Sequence, residues 1–412
     1  MSVATPCRHC GAQLEHSFCD LGVSPLANSY LSSAQLGQGE MFFPLHAFVC
    51  GDCFLVQLQQ FETPGNIFSD YAYFSSYSES WLAHARDYTE QMVARFALDS
   101  TSSVIEIASN DGYLLQYFAK KNIPVLGVEP AANVAAVAEQ RGIPTLVRFF
   151  GTETATALVA EGRRADLLLG NNVLAHVPNL NDFVRGMKIV LAPDGLITME
   201  FPHLLRLMEE NQFDTIYHEH FSYFSFLTVV RLFAAHGLRV FDVEQLPTHG
   251  GSLRIFATHA ENTTHALEAG PAVLLDTERS AGLDSLAVYL DFSARVRATK
   301  RRILSFLLEA KSQGKTIVGY GAPAKGNTLL NYCGIGTDII GYTVDRSPHK
   351  QGKFLPGSRL PIFHTHKIAE TKPDYVFILP WNLEEEITRQ MAHVREWGGR
   401  FVVPIPYAKV LD

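Results

Sequence analysis

Between residues 79 and 200 the apolar positions keep two rhythms. Over 79–96, Trp81, Ala85, Tyr88, Met92 and Phe96 recur every three or four positions, the period of one helix face. Short apolar runs at 103–108, 125–129, 145–147, 165–170 and 195–200 read as buried strands. Helical patterns at 113–122, 133–141 and 180–191 separate them. Alternation of this kind predicts a doubly wound, mostly parallel sheet that binds ligands beyond the carboxyl ends of its strands. A helix is expected over 286–311, with Tyr289, Leu290, Val296, Ile303, Phe306 and Leu307 at helical spacing. Arg295, Arg297, Lys300, Arg301 and Arg302 make it basic. Strands at 315–320, 339–345, 374–379 and 400–404 then form a second, smaller α/β unit. The segment 49–60 alternates only partly, as a short strand does.

A chain of 412 residues is too long for one core, so several domains are expected. Hydrophobic residues at 47% and charged residues at 18% are ordinary for a soluble enzyme. The net charge of −8 argues against a general nucleic-acid binder. No apolar run approaches the roughly 18 residues that span a bilayer. The start, Met1 to Pro6, does not read as a secretory signal. A cytoplasmic monomer that avoids membranes and nucleic acid is the expectation.

Cysteine changes the picture at the N-terminus. Four of the six cysteines form two C-x-x-C pairs, Cys7/Cys10 and Cys50/Cys53. In a cytosolic protein such pairs favour a metal over disulfides. Two pairs complete a tetrahedral Zn²⁺ shell with no place left for water, so the zinc is expected to be structural rather than catalytic. Cys19 and Cys333 read as plain thiols.

The first strand–turn–helix of the central sheet reads Glu106-Ile107-Ala108-Ser109-Asn110-Asp111-Gly112-Tyr113-Leu114. Gly112 and the small Ser109 let the backbone approach a ligand closely. Glu129 ends the second strand, where an acid accepts the hydroxyl hydrogens of a ribose. Asp166, Asn171 and Asn172 are expected to end the fourth strand, beside the adenine or the methionine end of the cofactor. A pyrophosphate calls for more glycines at the helix start. The loop therefore favours S-adenosylmethionine (SAM) over a dinucleotide, which remains the alternative. The aromatic stretch 71–77 reads as packing, or as Tyr73 or Tyr77 reaching a ligand.

Downstream, Tyr217-His218-Glu219-His220-Phe221-Ser222 crowds two imidazoles, a carboxylate and a phenol together. A base beside a methyl donor points to methylation of carbon, which must first lose a proton, and histidine titrates near neutrality. The bland reading is a hydrogen-bonded structural cluster, or an H-x-H metal site. These motifs resemble those of the SAM-dependent C-methyltransferases that act on nucleotide-linked keto-deoxysugars. The resemblance runs through both C-x-x-C pairs, Glu106 to Gly112, Ala175-His176-Val177-Pro178-Asn179, Tyr217 to Tyr223, Gly250-Gly251-Ser252-Leu253-Arg254, and Gly319 to Asn327.

The resemblance implies an α/β fold with a class I SAM-methyltransferase core. A zinc module is expected at 1–62, the core at 63–262, and a linker helix with a Rossmann-like domain that helps hold the sugar nucleotide at 263–412. It makes His220 the base. Tyr217 and His176 are candidates to stabilise the enolate, and Glu219 to orient an imidazole or bind a sugar substituent. Lys325 and Asn327, at a helix N-terminus, are candidates for phosphate, and His203, His249 and Arg254 for the cleft. Rival readings are an O- or N-methyltransferase, a SAM-binding regulatory protein, and a dehydrogenase built on Asp345.

Overall fold

The protein is described by a computed structural model covering residues 5–63, 65 and 75–411. The chain folds into two compact units, each assembled from separate stretches. One contains Met1–Leu14, Cys50–His203 and Phe221–Asp284; the other contains Glu15–Val49, Leu204–His220 and Ser285–Asp412.

The first unit is built on a seven-stranded sheet. Its order is Leu238–Leu246, Ser252–His259, Leu191–Pro202, Ala165–Asn171, Val104–Ile107, Val125–Val128 and Thr145–Leu146. Ser252–His259 runs antiparallel to both neighbours, while the strands from Leu191–Pro202 to Thr145–Leu146 pair in parallel. This is the class I methyltransferase arrangement. Parallel strands need apolar cover on both faces, and the alternation of side chains supplies it. Val104, Leu167 and Leu169 join Tyr88, Met92 and Phe118 in one cluster. Ile105, Ile107 and Leu168 join Phe183, Val184 and Met187 in the other. Each such side chain stabilises by about 1.5–3 kcal/mol on burial.

The helix Glu79–Phe96 forms where expected. Ser78 Oγ accepts from Trp81 N–H at its start, with Glu79 in the first turn, and Ala97 closes it at φ 50. The expected helix at 113–122 contracts to Leu115–Ala119, because the preceding residues turn around the loop that ends the first strand.

The second unit carries a six-stranded sheet in the order Ile362–Phe363, Thr343–Val344, Ile317–Tyr320, Tyr375–Ile378, Arg400–Val403 and Lys409–Leu411. All pairs are parallel except the last. The strand expected at 339–345 shrinks to Thr343–Val344, since Ile339 and Ile340 N–H both donate to Gly336 O and turn the chain. The hairpin His16–Ser24/Phe43–Val49 belongs to this unit. The helix Leu286–Ser312 packs on it: Phe18 stacks on Phe292 at 4.6 Å, and Tyr289 meets Phe18 edge-on at 6.3 Å. Tyr289, Phe292, Val296, Thr299, Ile303, Leu307 and Ala310 form the helix's buried stripe; Leu290, one step off it, is exposed. Among the described residues no helix is long and apolar enough to cross a membrane.

Candidate active site

The four paired cysteines bring their sulfur atoms within 4.8 Å of one another. Cys7 and Cys53 Sγ are 3.5 Å apart, and Cys10 and Cys50 Sγ 3.4 Å. Zinc about 2.3 Å from each of four sulfurs sets them about 3.8 Å apart, so the cluster fits a tetrahedral ion. Both pairs use one turn geometry. Cys7 N–H donates to Ala12 O and Cys50 N–H to Leu55 O, while Gly11 (φ 81) and Phe54 (φ 62) take the same left-handed place. Buried Gln57 donates from Nε2 to Cys7 Sγ at 3.2 Å and orients that ligand. The ion held here is a structural zinc.

The loop after Val104–Ile107 is the one expected to meet the methyl donor. Ala108, Asn110 and Gly112 have φ of 56, 51 and 74. A Cβ at Gly112 would lie 3.0 Å from Ile143 Cγ1, so glycine is required there twice over. Glu129 closes the loop: Oε2 accepts from Asn110 N–H and Oε1 from Ala131 N–H, both at 2.9 Å. Asp111 pairs with Arg141 at 3.1 Å and takes the Ser76 hydroxyl. Leu114 is fully buried beneath the loop. Ser109 Oγ, Asp111 Oδ1, Asn171 Nδ2 and Asn172 Oδ1 are buried without a hydrogen-bond partner among the described residues. Such atoms call for a polar ligand. Burial, then the charges of Glu129 and Asp111, pushes Glu106 well above the usual carboxylate range. A cofactor that is cationic at sulfur and at its amino group relieves that repulsion. The residues present therefore fit SAM. Asp166 corrects an expectation: it stands at the other end of its strand, with Oδ2 accepting from Ser103 N–H at 2.8 Å.

Because folding favours the protonated form of Glu106, this carboxyl's contribution is fully present at low pH and is lost as pH rises. Glu106→Gln, without cofactor, is expected to gain thermal stability over the parent. The gain should grow from about pH 5 to about pH 8; a gain independent of pH would contradict the assignment.

Next to the pocket lies a charged network that the sequence did not announce. Glu200, fully buried, lies 2.9 Å from His84 Nε2 and 3.0 Å from Arg254 Nη2, and accepts from Thr248 Oγ1 at 3.0 Å. Burial alone would raise Glu200, but His84, Arg254 and Thr248 together hold it below the ordinary range. Arg254 also binds Glu244 at 2.9 Å and lies 4.7 Å over the Tyr88 ring. Its two terminal nitrogens are occupied by partners within the fold. Arg254→Ala is expected to cost about 3–5 kcal/mol in denaturant unfolding, since it strands a buried carboxylate. Replacement of both Arg254 and Glu200 by apolar residues should recover most of that loss.

His249 (φ 55) meets Asn172 Nδ2 through Nε2 at 3.0 Å and lies edge-on to Trp81 at 5.2 Å. His203 is buried, with Nε2 2.7 Å from Glu278 Oε1. The two oxygens of Glu278 accept from Phe226 and Leu227 N–H and so cap the helix Phe226–Ala235. His176 ends the turn Leu174–His176, and Phe221 N–H donates to Ala175 O at 2.7 Å. Tyr77 is 66% exposed on the short helix Ser75–Tyr77. Tyr73 lies outside the described residues.

The Tyr-His-Glu-His run belongs to the second unit. His220 Nδ1 is 3.0 Å from Thr215 O, and Nε2 is 2.8 Å from the Tyr217 hydroxyl. A carbonyl oxygen only accepts, so Nδ1 carries the hydrogen and Nε2 is the basic nitrogen. His218 turns elsewhere, to Pro44 O at 3.1 Å, and burial lowers its pKa. Glu219 is buried, and burial pushes its carboxyl up to about 7 against the pull of Asn28.

Lys325 opens the helix Ala324–Cys333. Its Nζ donates to Asn382 Oδ1 at 2.7 Å and lies 4.4 Å over the Trp381 ring. Trp381 Nε1 donates to buried Asp214 Oδ2 at 2.8 Å. Burial brings Lys325 down to about 8 and Asp214 up to about 6, each opposed by the other's charge. Asn327 is fully buried, its Oδ1 3.3 Å from Asn331 Nδ2. His84, Glu200, Asp214 and Asn28 were not singled out by sequence, for none sits in a motif.

Three family models match the chain in order: a zinc binding domain over residues 7–68, a methyltransferase domain over 81–243, and a C-methyltransferase C-terminal domain over 247–406. The C-methyltransferase NovU of Streptomyces niveus is 38% identical over 98% of this chain and 96% of its own. A ubiquinone biosynthesis O-methyltransferase of Bartonella tribocorum is 30% identical over 23% of this chain and 38% of its own. The solved structure of magnesium protoporphyrin IX methyltransferase from Synechocystis aligns with 43% of this chain and 79% of its own, at 13% identity and a TM-score of 0.34. The near full-length identity to NovU decides the matter: the chain belongs to the SAM-dependent C-methyltransferase family and is itself a SAM-dependent C-methyltransferase.

Proposed function

We propose that the enzyme methylates a ring carbon, C3 in preference to C5, of a nucleotide-linked 4-keto-deoxyhexose. The ketone acidifies the neighbouring C–H, and His220 Nε2 takes that proton. The observation that carries this reading is the pair of hydrogen bonds at His220, which leave Nε2 as the basic nitrogen. Tyr217, already 2.8 Å from Nε2, gives up that bond as the imidazole becomes protonated and turns its hydroxyl to the enolate oxygen, with His176 as a second donor. Glu219 binds a sugar substituent or orients an imidazole. Tyr77, at the end of the aromatic stretch, reaches the ligand.

SAM supplies the methyl group, held by Glu129 at the ribose and by the Glu106–Leu114 loop, Asn171 and Asn172. The cofactor would give that methyl group to the carbanion and remain as neutral S-adenosylhomocysteine. We assign the nucleotide diphosphate to Lys325 and Asn327, and His249 to the cleft; His203 and Arg254 support the frame. The zinc module at 1–62, core at 63–262 and sugar-nucleotide domain at 263–412 act in one cytoplasmic monomer. A panel of 4-keto-deoxysugar nucleotides, incubated with SAM and read by mass spectrometry and NMR, tests this. A new methyl on a quaternary carbon is expected; a methyl on oxygen or nitrogen would overturn it.

A further inference from the structure

The segment between the strands His16–Ser24 and Phe43–Val49 carries Asn28 and Tyr30. Asn28 Nδ2 donates to Glu219 Oε1 at 2.7 Å. The Tyr30 hydroxyl lies 3.2 Å from Asn28 Oδ1 and 2.6 Å from Ala322 O. A carboxylate oxygen only accepts, so the amide presents its nitrogen to Glu219 and its oxygen to Tyr30, whose single hydrogen is shared between Asn28 Oδ1 and the nearer Ala322 O. Tyr30 is itself held. Lys350 Nζ donates to the same Ala322 oxygen at 2.9 Å and lies 5.4 Å over the Tyr30 ring. Ala322 N–H donates to Asp345 Oδ2 at 2.8 Å, which fixes the turn from the other side. One hydrogen-bonded chain therefore links the Gly321–Asn327 turn to the carboxyl beside His220, within a single compact unit.

We propose that Asn28 is a positioning residue for Glu219, and that Tyr30, anchored on Ala322, fixes the direction in which Asn28 donates. The inference rests on Glu219 belonging to the reaction site proposed above. Without the amide, the buried carboxylate loses this donor and either rotates or takes up a proton more readily. Among the described residues, ionisable groups near Glu219 include His218 and His220 on its own segment and Tyr30, with Lys350 and Asp345 beyond it, on neighbouring ones.

The test uses the full-length enzyme. The Glu219 carboxyl is titrated by ¹³C NMR, assigned with Glu219→Gln, in the parent, Asn28→Ala, Asn28→Ser and Tyr30→Phe. In Asn28→Ala the carboxyl should titrate at higher pH, and kcat at neutral pH should fall about tenfold, as loss of a hydrogen bond to a charged group predicts. KM for SAM should not move. Asn28→Ser, which keeps a donor, should recover part of kcat, and Tyr30→Phe should give a smaller change in the same direction. An unmoved Glu219 titration in both Asn28→Ala and Tyr30→Phe would overturn the inference. A titration that moves while the pH profile of methylation stays put would leave Asn28 in its role and remove Glu219 from the reaction.

Discussion

Replacement of His220 by glutamine is expected to abolish two reactions at once. Methyl transfer should fall by about 10²–10⁴-fold, the usual contribution of a positioned base. Solvent deuterium should also stop entering the substrate carbon next to the ketone, in the absence of SAM as well as in its presence. The second loss discriminates. A residue that merely braces the fold would slow transfer without controlling exchange. Glutamine is chosen because it is polar and of similar length but carries no basic nitrogen. Tyr217→Phe should behave differently: exchange slows, because the enolate loses a donor, but it persists. Deuterium wash-in at the parental rate in His220→Gln would remove this imidazole from the mechanism.

Loss of one zinc ligand should have the largest effect on stability. Structural zinc in small modules contributes about 10–16 kcal/mol of apparent binding energy at neutral pH. A three-cysteine site retains part of that, so a net loss of about 5 kcal/mol for Cys53→Ala is a reasonable expectation, roughly 10–20 °C in Tm. Cys53 is buried, so no water reaches in to replace the thiolate readily. Metal analysis should return less than one zinc per chain, and a chelator should shift the parent towards the variant. Cys333→Ala removes a buried thiol outside the cluster and should leave zinc content unchanged. Full zinc occupancy and unchanged melting in Cys53→Ala would contradict the site.

Much of the central sheet was legible because its signal is local. Strands 104–107, 125–128 and 165–171 are short apolar runs buried on both faces, and the helix Glu79–Phe96 shows one clean stripe. The cysteine pairs and the loop to Gly112 were legible for the same reason: a turn writes its requirements into adjacent residues. The helix Phe226–Ala235 is a short and mostly apolar run, which sequence alone does not tell from a buried strand, and Gly270–Ser280 buries only Pro271, Leu274 and Glu278. Thr343–Val344 and Ile362–Phe363 are two residues each, too short for any period. Nor does periodicity tell which unit an insert joins, and Glu15–Val49 and Leu204–His220 both settle with the C-terminal part. One partner of Glu219 lies 191 positions away in Asn28, and His84 meets Glu200 across 116. Contacts of that span are set by the folded surface and leave no trace in spacing.

The three acids around the donor loop have a consequence for turnover. Transfer converts a sulfonium into a neutral thioether, so the pocket loses a positive charge at the moment the product forms. Glu106, Asp111 and Glu129 then repel one another with less compensation. If these acids line the cofactor site, spent cofactor is expected to be held less firmly than fresh cofactor, by a margin that widens as pH rises and Glu106 loses its proton.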